Sequence, residues 1–132
     1  MAEHDLVGNY LQAIQAFNDN DIAGYLEVVS TDVTYTVHGR NSLSGVYDGI
    51  DAFRRVLARA KESTTGTLNL EPVAVLSDDE RHVMVWGRLT GTRDDLQLDA
   101  MHAWVYRFDA DGRLVEGHSI PADQHVVNDF WG

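Results

Sequence analysis

The feature that most constrains this chain is the order of its hydrophobic patterns, because helical patterns come first and a run of strands follows. Apolar residues recur every three or four positions between Leu6 and Phe17, a spacing that predicts an amphipathic helix. Asp21 can cap a short second helix, and a third is predicted over residues 50–62. Helices gathered at the front of a strand-rich chain are typical of an α+β fold.

The strand-like segments are long and are joined by short polar turns. The first strand, residues 33–37, precedes a segment, residues 40–49, that is interpreted as a loop because Gly, Asn and Ser dominate it. Hairpin turns at residues 78–80 and 109–112 predict antiparallel pairing of the strands that follow. Four such strands are predicted to pack against the third helix: residues 68–76, 82–90, 96–108 and 114–120.

Size and charge narrow the classes of function. The chain has 132 residues, enough for one domain over residues 1–132. It carries 10 basic and 21 acidic residues, a net charge of −11, which would repel a nucleic acid or an anionic membrane. Cysteine is absent, which excludes thiolate nucleophiles and disulfides. No signal peptide or spanning segment is visible, so we expect a cytoplasmic protein with no nucleic acid or membrane partner.

Four stretches of the chain together resemble a known family. They are, in chain order, NYLQAIQAFNDND, TYTVHG, LSGVYDGIDAF and WVYRFDADGRLVEGHSIPADQH. With the order of helices and strands, they resemble the SnoaL-like branch of the NTF2-like superfamily, which includes ketosteroid isomerases, polyketide cyclases and limonene-epoxide hydrolases. The resemblance covers nearly the whole chain and implies an α+β cone, in which a curved antiparallel sheet wraps around the N-terminal helices and encloses an apolar pocket. This fold hosts catalysts and non-catalytic binding proteins alike.

The resemblance also implies roles for two residues. Tyr10 matches the tyrosine that stabilises the oxyanion in ketosteroid isomerases, although it can equally be a core residue with a local hydrogen bond. No carboxylate stands near Val37 or Trp104, where those enzymes carry acidic residues, so their mechanism is not expected. Asp123 corresponds to the acid–base aspartate of the SnoaL-like cyclases, and the alternative is that it caps a helix.

Strand parity adds a candidate that does not depend on the family. Alternation within residues 96–108 places His102 and Trp104 on the face opposite Arg107. Because an arginine belongs on the wet face, His102 and Trp104 are predicted to line the interior together with Tyr10. An imidazole there can transfer protons near neutral pH. The alternative is a core histidine whose hydrogen bonds are satisfied.

Other polar residues complete the predicted site. His38 can replace the missing base or can face solvent at the end of its strand. The residues predicted to bind substrate are Tyr35, His38, Trp104 and His118. The histidines lack the spacing of metal-binding motifs, so no metal and no cofactor are expected.

These patterns predict a small-molecule pocket protein. It is expected to be a cofactor-free acid–base catalyst, isomerase-, cyclase- or hydrolase-like, acting on a small apolar or polycyclic substrate through Tyr10, His102 and Asp123. The alternative is a non-catalytic ligand-binding or accessory protein, and a titratable pocket group with a perturbed pKa would separate the two. A homodimer is also expected, because Met84 and Trp86 on the outer face of the sheet would otherwise leave an apolar patch exposed.

Overall fold

A computed structural model describes residues 5–132, and within this range the chain forms four helices and six strands. The elements, in chain order, are α1 (Leu6–Asn18), α2 (Ile22–Leu26), β1 (Val29–Val37), β2 (Gly45–Asp48), α3 (Ile50–Ser63), β3 (Asn69–Ser77), β4 (His82–Arg93), β5 (Leu96–Phe108), β6 (Leu114–Pro121) and α4 (Gln124–Trp131). None of the helices in this range is both long enough and apolar enough to span a bilayer. The predicted α+β fold is confirmed.

Aspartates begin the first two helices. The side chains of Asp5 and Asp21 each accept a hydrogen bond from the backbone N–H three residues further on, which satisfies a donor that the helix itself leaves unpaired. The apolar stripe of α1 is buried, as predicted. The second helix ends at Leu26, and Val29, which continues the helical spacing of Ile22, Tyr25 and Leu26, already belongs to β1.

The strands of the described chain form one curved sheet in the order β2-β1-β6-β5-β4-β3. Successive strands from β3 to β6 pair antiparallel, which confirms the prediction from the hairpin turns. The sheet is nevertheless not antiparallel throughout, because β1 runs parallel to β6. A second difference is β2, which lies inside the predicted loop and pairs antiparallel with β1.

The third helix begins after Gly49, whose φ of 89° favours glycine over other residues. Among the strands it packs chiefly on β1 and β2, and the Phe53 ring stacks on that of Tyr35 in β1. The prediction that this helix packs directly on the strands of residues 68–120 is therefore wrong, and a cavity separates it from most of them.

Near the end of α3, Lys61 is buried, with 6% of its surface exposed. Its Nζ donates to the Leu68 carbonyl at 2.6 Å and lies 4.1 Å from the centre of the Phe17 ring.

The last helix closes one end of this cavity. Asp123 begins α4 by accepting hydrogen bonds from the backbone N–H groups of His125 and Val126. Val127 and Trp131 of the same helix are buried and line the cavity. The C-terminal segment is therefore part of the pocket wall.

Candidate functional site

A cavity of about 100 Å³ lies between α3 and the inner face of the sheet. Most of its wall is aromatic or aliphatic, including Phe17, Phe53, Val56, Leu70, Val127 and Trp131. Apolar walls with a few polar groups are the usual construction of a small-molecule site. An engineered apolar cavity of about 150 Å³ holds benzene, so this cavity suits a molecule of about one ring. A polycyclic ligand would require side chains to move.

The fifth strand supplies polar groups to this wall. Its side chains alternate as predicted, because Arg107 is half exposed whereas the opposite face is buried through Leu98, Ala100, His102, Trp104, Tyr106 and Phe108. His102 and Trp104 both line the cavity, so their predicted placement in the interior is correct.

His102 is a buried imidazole with one nitrogen bound and one available. It is 3% exposed, and its Nδ1 lies 3.2 Å from the Ala100 carbonyl, which can only accept, so Nδ1 carries the proton. Burial lowers the pKa of His102, and the bond to Ala100 opposes this only in part. Among residues 5–132, Nε2 has no hydrogen-bond partner and is not sealed from the cavity. The neutral ring therefore offers a proton acceptor.

Trp104 places a donor beside this acceptor. Its ring stacks on His102 with the ring centres 4.9 Å apart and the planes 12° apart. Indole Nε1 can only donate, and no described residue accepts from it. The stacked rings thus bring an imidazole acceptor and an indole donor into one apolar wall, a combination of groups that can bind a carbonyl oxygen and accept a neighbouring proton.

Tyr10 lies behind the cavity wall rather than in it. It is 1% exposed, its hydroxyl is hydrogen-bonded to the Tyr25 hydroxyl, and its ring centre lies 4.3 Å from that of Tyr106. Tyr25 lines the cavity and Tyr10 does not. The prediction that Tyr10 lines the cavity with His102 is therefore wrong, because α2 places Tyr25 there instead.

Two further buried tyrosines, Tyr106 and Tyr35, line the cavity next to this pair. The Tyr106 hydroxyl lies beside those of Tyr25 and Tyr35, and the Tyr35 hydroxyl lies 2.7 Å from Ser119 Oγ. Burial raises the pKa of Tyr35 to about 12, and burial also raises the pKa of Tyr25 and of Tyr106. These phenols therefore stay protonated near neutral pH. Tyr35 lines the cavity as predicted, whereas Tyr25, Tyr106 and Ser119 were not among the predicted site residues, although Tyr106 shares the parity of His102.

The two histidines predicted to bind substrate occupy different positions. His38 borders the cavity at the end of β1, whereas His118 lies outside the cavity wall. They are nevertheless in contact, because His38 Nε2 lies 3.0 Å from His118 Nδ1. His118 Nε2 in turn lies 3.0 Å from Glu116 Oε2. Within the described residues, no three histidines, aspartates or glutamates lie close enough together to hold a metal ion.

Asp123 does not line the cavity. Its side chain is exposed and caps α4, so the structure agrees with the helix-cap alternative for this residue. No carboxylate stands in the cavity wall of the described chain.

Comparison with known proteins identifies the family. The family model described as a SnoaL-like domain matches residues 10–117. The chain belongs to the SnoaL-like family. A curated relative of this SnoaL-like protein, the uncharacterized protein Rv0034 of Mycobacterium tuberculosis, is 28% identical over 130 residues, which are 98% of this chain and 96% of the relative.

Solved structures agree with this assignment. Bal32a, from a soil-derived mobile gene cassette, has a TM-score of 0.91 at 24% identity, and the match covers 96% of each chain. An NTF2-like protein of unknown function from Burkholderia pseudomallei has a TM-score of 0.85 at 18% identity, over 97% of this chain and 98% of that one. At these identities the likeness shows the fold alone, which is the NTF2-like fold that the sequence resemblance implied.

Proposed function

We propose that this SnoaL-like protein is a general acid–base catalyst in which His102 removes a proton from a small, mostly apolar carbonyl compound. The observation that supports this proposal is the buried imidazole in the cavity wall, with Nδ1 bound to the Ala100 carbonyl and Nε2 without a hydrogen-bond partner in the described chain. A titratable group with a shifted pKa inside an apolar cavity favours an active site over a passive pocket. Because burial lowers the pKa of His102, the ring is neutral and able to accept a proton near neutral pH.

The proposed step is enolisation. The C–H bond next to the substrate carbonyl breaks, the proton passes to Nε2 of His102, and the electron pair forms the C=C bond of an enolate. The charge develops on the carbonyl oxygen, to which Trp104 Nε1 can donate a hydrogen bond. Return of the proton to another carbon gives an isomer, and attack of the enolate carbon on a second carbonyl closes a ring. Isomerases and cyclases, which the family includes, perform reactions of these two types.

Exchange of carbon-bound protons tests this step without knowledge of the natural substrate. Cyclohexanone has one ring and a carbonyl, which suits a cavity of about 100 Å³. In deuterium oxide, NMR would follow replacement of its α-protons. We expect the protein to accelerate this exchange above the buffer rate, and His102→Gln, which removes the base, to reduce the acceleration about 10²-fold.

A matched histidine variant controls for general effects of the substitution. His125 is exposed on α4 and does not line the cavity, so His125→Gln should retain the full exchange rate. The thermal midpoint of each variant would show that it folds. Exchange at the buffer rate with the unmodified protein, or an acceleration that survives His102→Gln, would contradict the proposal.

The second candidate function is ligand binding without catalysis. It is favoured by one observation, which is that the cavity wall of the described chain contains no carboxylate to act with His102. In that case cyclohexanone would shift the NMR signals of cavity residues while its α-protons exchange at the buffer rate. The same experiment therefore separates the two functions.

We also propose that a second copy of this chain covers the outer face of the sheet. Apolar side chains from four neighbouring strands form a stripe there that no element of residues 5–132 covers: Ala74, Leu76, Met84, Trp86, Ala103, Val105 and Ile120. Four of them are exposed by 41% or more: Leu76, Met84, Trp86 and Ile120. Stripes of this kind on a protein surface mark interaction sites.

Charge favours a second copy as the occupant of this outer-face stripe. The chain carries a net charge of −11, so two copies repel each other over most of their surface. On the outer face charge is more nearly balanced, because Arg88 and Arg107 lie among the carboxylates of Glu71, Asp99 and Glu116. Arg88 Nε lies 3.1 Å from Asp99 Oδ1, and Arg107 Nε lies 3.1 Å from Glu116 Oε1. A second acidic chain therefore meets less repulsion on this face than the net charge alone implies.

A further inference from the structure

A chain of polar side chains runs from the outer face of the sheet past the end of β1 to His38, which is exposed and borders the cavity. Glu116 and His118 alternate with Gly117 and Ser119 along β6, and Ser119 lines the cavity, so Glu116 and His118 project from the outer face. Glu116 Oε2 lies 3.0 Å from His118 Nε2, and His118 Nδ1 lies 3.0 Å from His38 Nε2.

The hydrogen-bond partners determine where the protons lie. Hydrogen bonds from His118 and Arg107 lower the pKa of Glu116, so its carboxylate is ionised and can only accept. Nε2 of His118 therefore donates to it, and in the state in which both imidazole rings are neutral Nδ1 of His118 is an acceptor. In that state His38 donates through Nε2, and the free lone pair of its ring is on Nδ1.

The two imidazoles are held as a unit beside the site. Their ring centres are 5.3 Å apart with the planes 29° apart. Ser119 of β6 pairs with Val37 of β1 on one side and with Trp104 of β5 on the other. His38, which follows Val37, thus flanks Ser119 opposite Trp104, at the same end of the cavity as the proposed catalytic pair.

We propose that Glu116, His118 and His38 form a proton relay between the outer face of the sheet and the cavity, and that His38 is a second group, besides the base His102, that exchanges protons with the ligand, at the rim. This inference rests on the proposed function, since both use the same cavity. His38 Nδ1 accepts a proton from the ligand, the Nε2 proton of His38 passes to His118 Nδ1, and the Nε2 proton of His118 passes to Glu116. One proton thus moves outward, and the reverse sequence returns it. His118 and Glu116 are positioning residues.

The competing explanation is structural, because the same contacts link β1 to β6 where the two strands run parallel. His118→Gln separates the two explanations. A glutamine can still donate and accept hydrogen bonds and so preserve a link between the strands, but its amide cannot pass a proton along. His38→Gln removes the terminal base at the rim, and His125→Gln again serves as the control.

The first measurement is the exchange of cyclohexanone α-protons. We expect His38→Gln and His118→Gln each to slow the exchange about tenfold or more, with cyclohexanone binding, measured from NMR shifts, and the thermal midpoint unchanged. If the unmodified protein accelerates the exchange and both variants keep its full rate, the relay is overturned. A structural role alone would instead lower the thermal midpoint and leave the rate of the folded protein intact.

The second measurement does not need catalysis. In labelled protein at mildly alkaline pH, NMR should detect a scalar coupling across the hydrogen bond between His38 Nε2 and His118 Nδ1, with the protons on Nε2 of both rings. If exchange of cyclohexanone is absent but this coupling is present, the proposed function fails while the relay geometry stands. A proton on Nδ1 of His118, or no coupling between the rings, overturns the relay whatever the exchange rate.

Discussion

The imidazole of His102 lies nearly parallel to the indole of Trp104, with the ring centres 4.9 Å apart. Each ring limits the rotation of the other, and the bond from His102 to the Ala100 carbonyl fixes the tautomer. The acceptor nitrogen and the donor nitrogen are therefore held in place before a ligand binds. Groups preorganised in this way stabilise a developing charge without the cost of reorienting water.

Trp104→Phe tests the donor. Phenylalanine keeps an aromatic ring against His102 but has no N–H, so exchange of cyclohexanone α-protons should slow about 10²-fold, as on loss of one oxyanion donor. The NMR exchange assay would measure this, and Trp86→Phe on the outer face is the matched control with full activity. A Trp104→Phe protein with an undiminished rate would show that the indole N–H does not contact the developing charge.

Tyr10→Phe tests the position of this tyrosine behind the wall. The change removes the hydroxyl that pairs with Tyr25, so the free energy of unfolding should fall by about 1 kcal/mol, measured by urea denaturation. The exchange rate should stay unchanged, because Tyr10 does not touch the cavity. A large loss of rate in a stably folded variant would restore Tyr10 as an oxyanion donor.

The buried imidazole should make stability depend on pH. Burial lowers the pKa of His102 in the folded protein, whereas the unfolded chain keeps an ordinary pKa of about 6.5. Between these two pKa values the unfolded state binds more protons than the folded state, so the free energy of unfolding rises with pH. The contribution of His102 is fully present above about pH 6.5 and is lost as the pH falls below that value. Urea denaturation across this range should show a weaker pH dependence for His102→Gln than for His125→Gln. Equal slopes for the two variants would contradict the assignment.

Trp86→Glu tests the proposed dimer. Light scattering of the unmodified protein at micromolar concentration should give twice the 14.7 kDa of one chain, and the added charge in the apolar stripe should give a monomer. Val126→Glu is the control, because Val126 is equally exposed but lies on α4. A mass of one chain for the unmodified protein would rule out the dimer at that concentration.

Short-range sequence patterns correctly predicted which face of β5 is buried and which strands pair through hairpins. The alternation between His102 and Arg107 was sufficient to place His102 and Trp104 inside, because the strand has no register shift between these two residues and so keeps its parity. Hairpin turns predicted the antiparallel pairs for a similar reason, since each turn joins strands that are neighbours in sequence.

Contacts between distant segments were not predictable in this way. Nothing in the sequence near β1 specifies its parallel pairing with β6. Strand β2, Gly45–Asp48, lies in a segment whose composition is that of a loop. The stripe of α1 indicated that Tyr10 is buried, but not that Tyr25 from the next helix stands in front of it. The link between His38 and His118 depends on the same parallel pairing and could not be seen in either segment alone.

Lys61 is the single lysine in the sequence, and it is buried with its amine bound to the Leu68 carbonyl. The folded protein therefore offers almost no side-chain amine to acylating reagents or to cross-linkers that require one. An acyl group found on Lys61 would instead mark molecules in which the end of α3 had separated from Leu68. Amine labelling followed by mass spectrometry thus reports local opening of this protein at one defined atom.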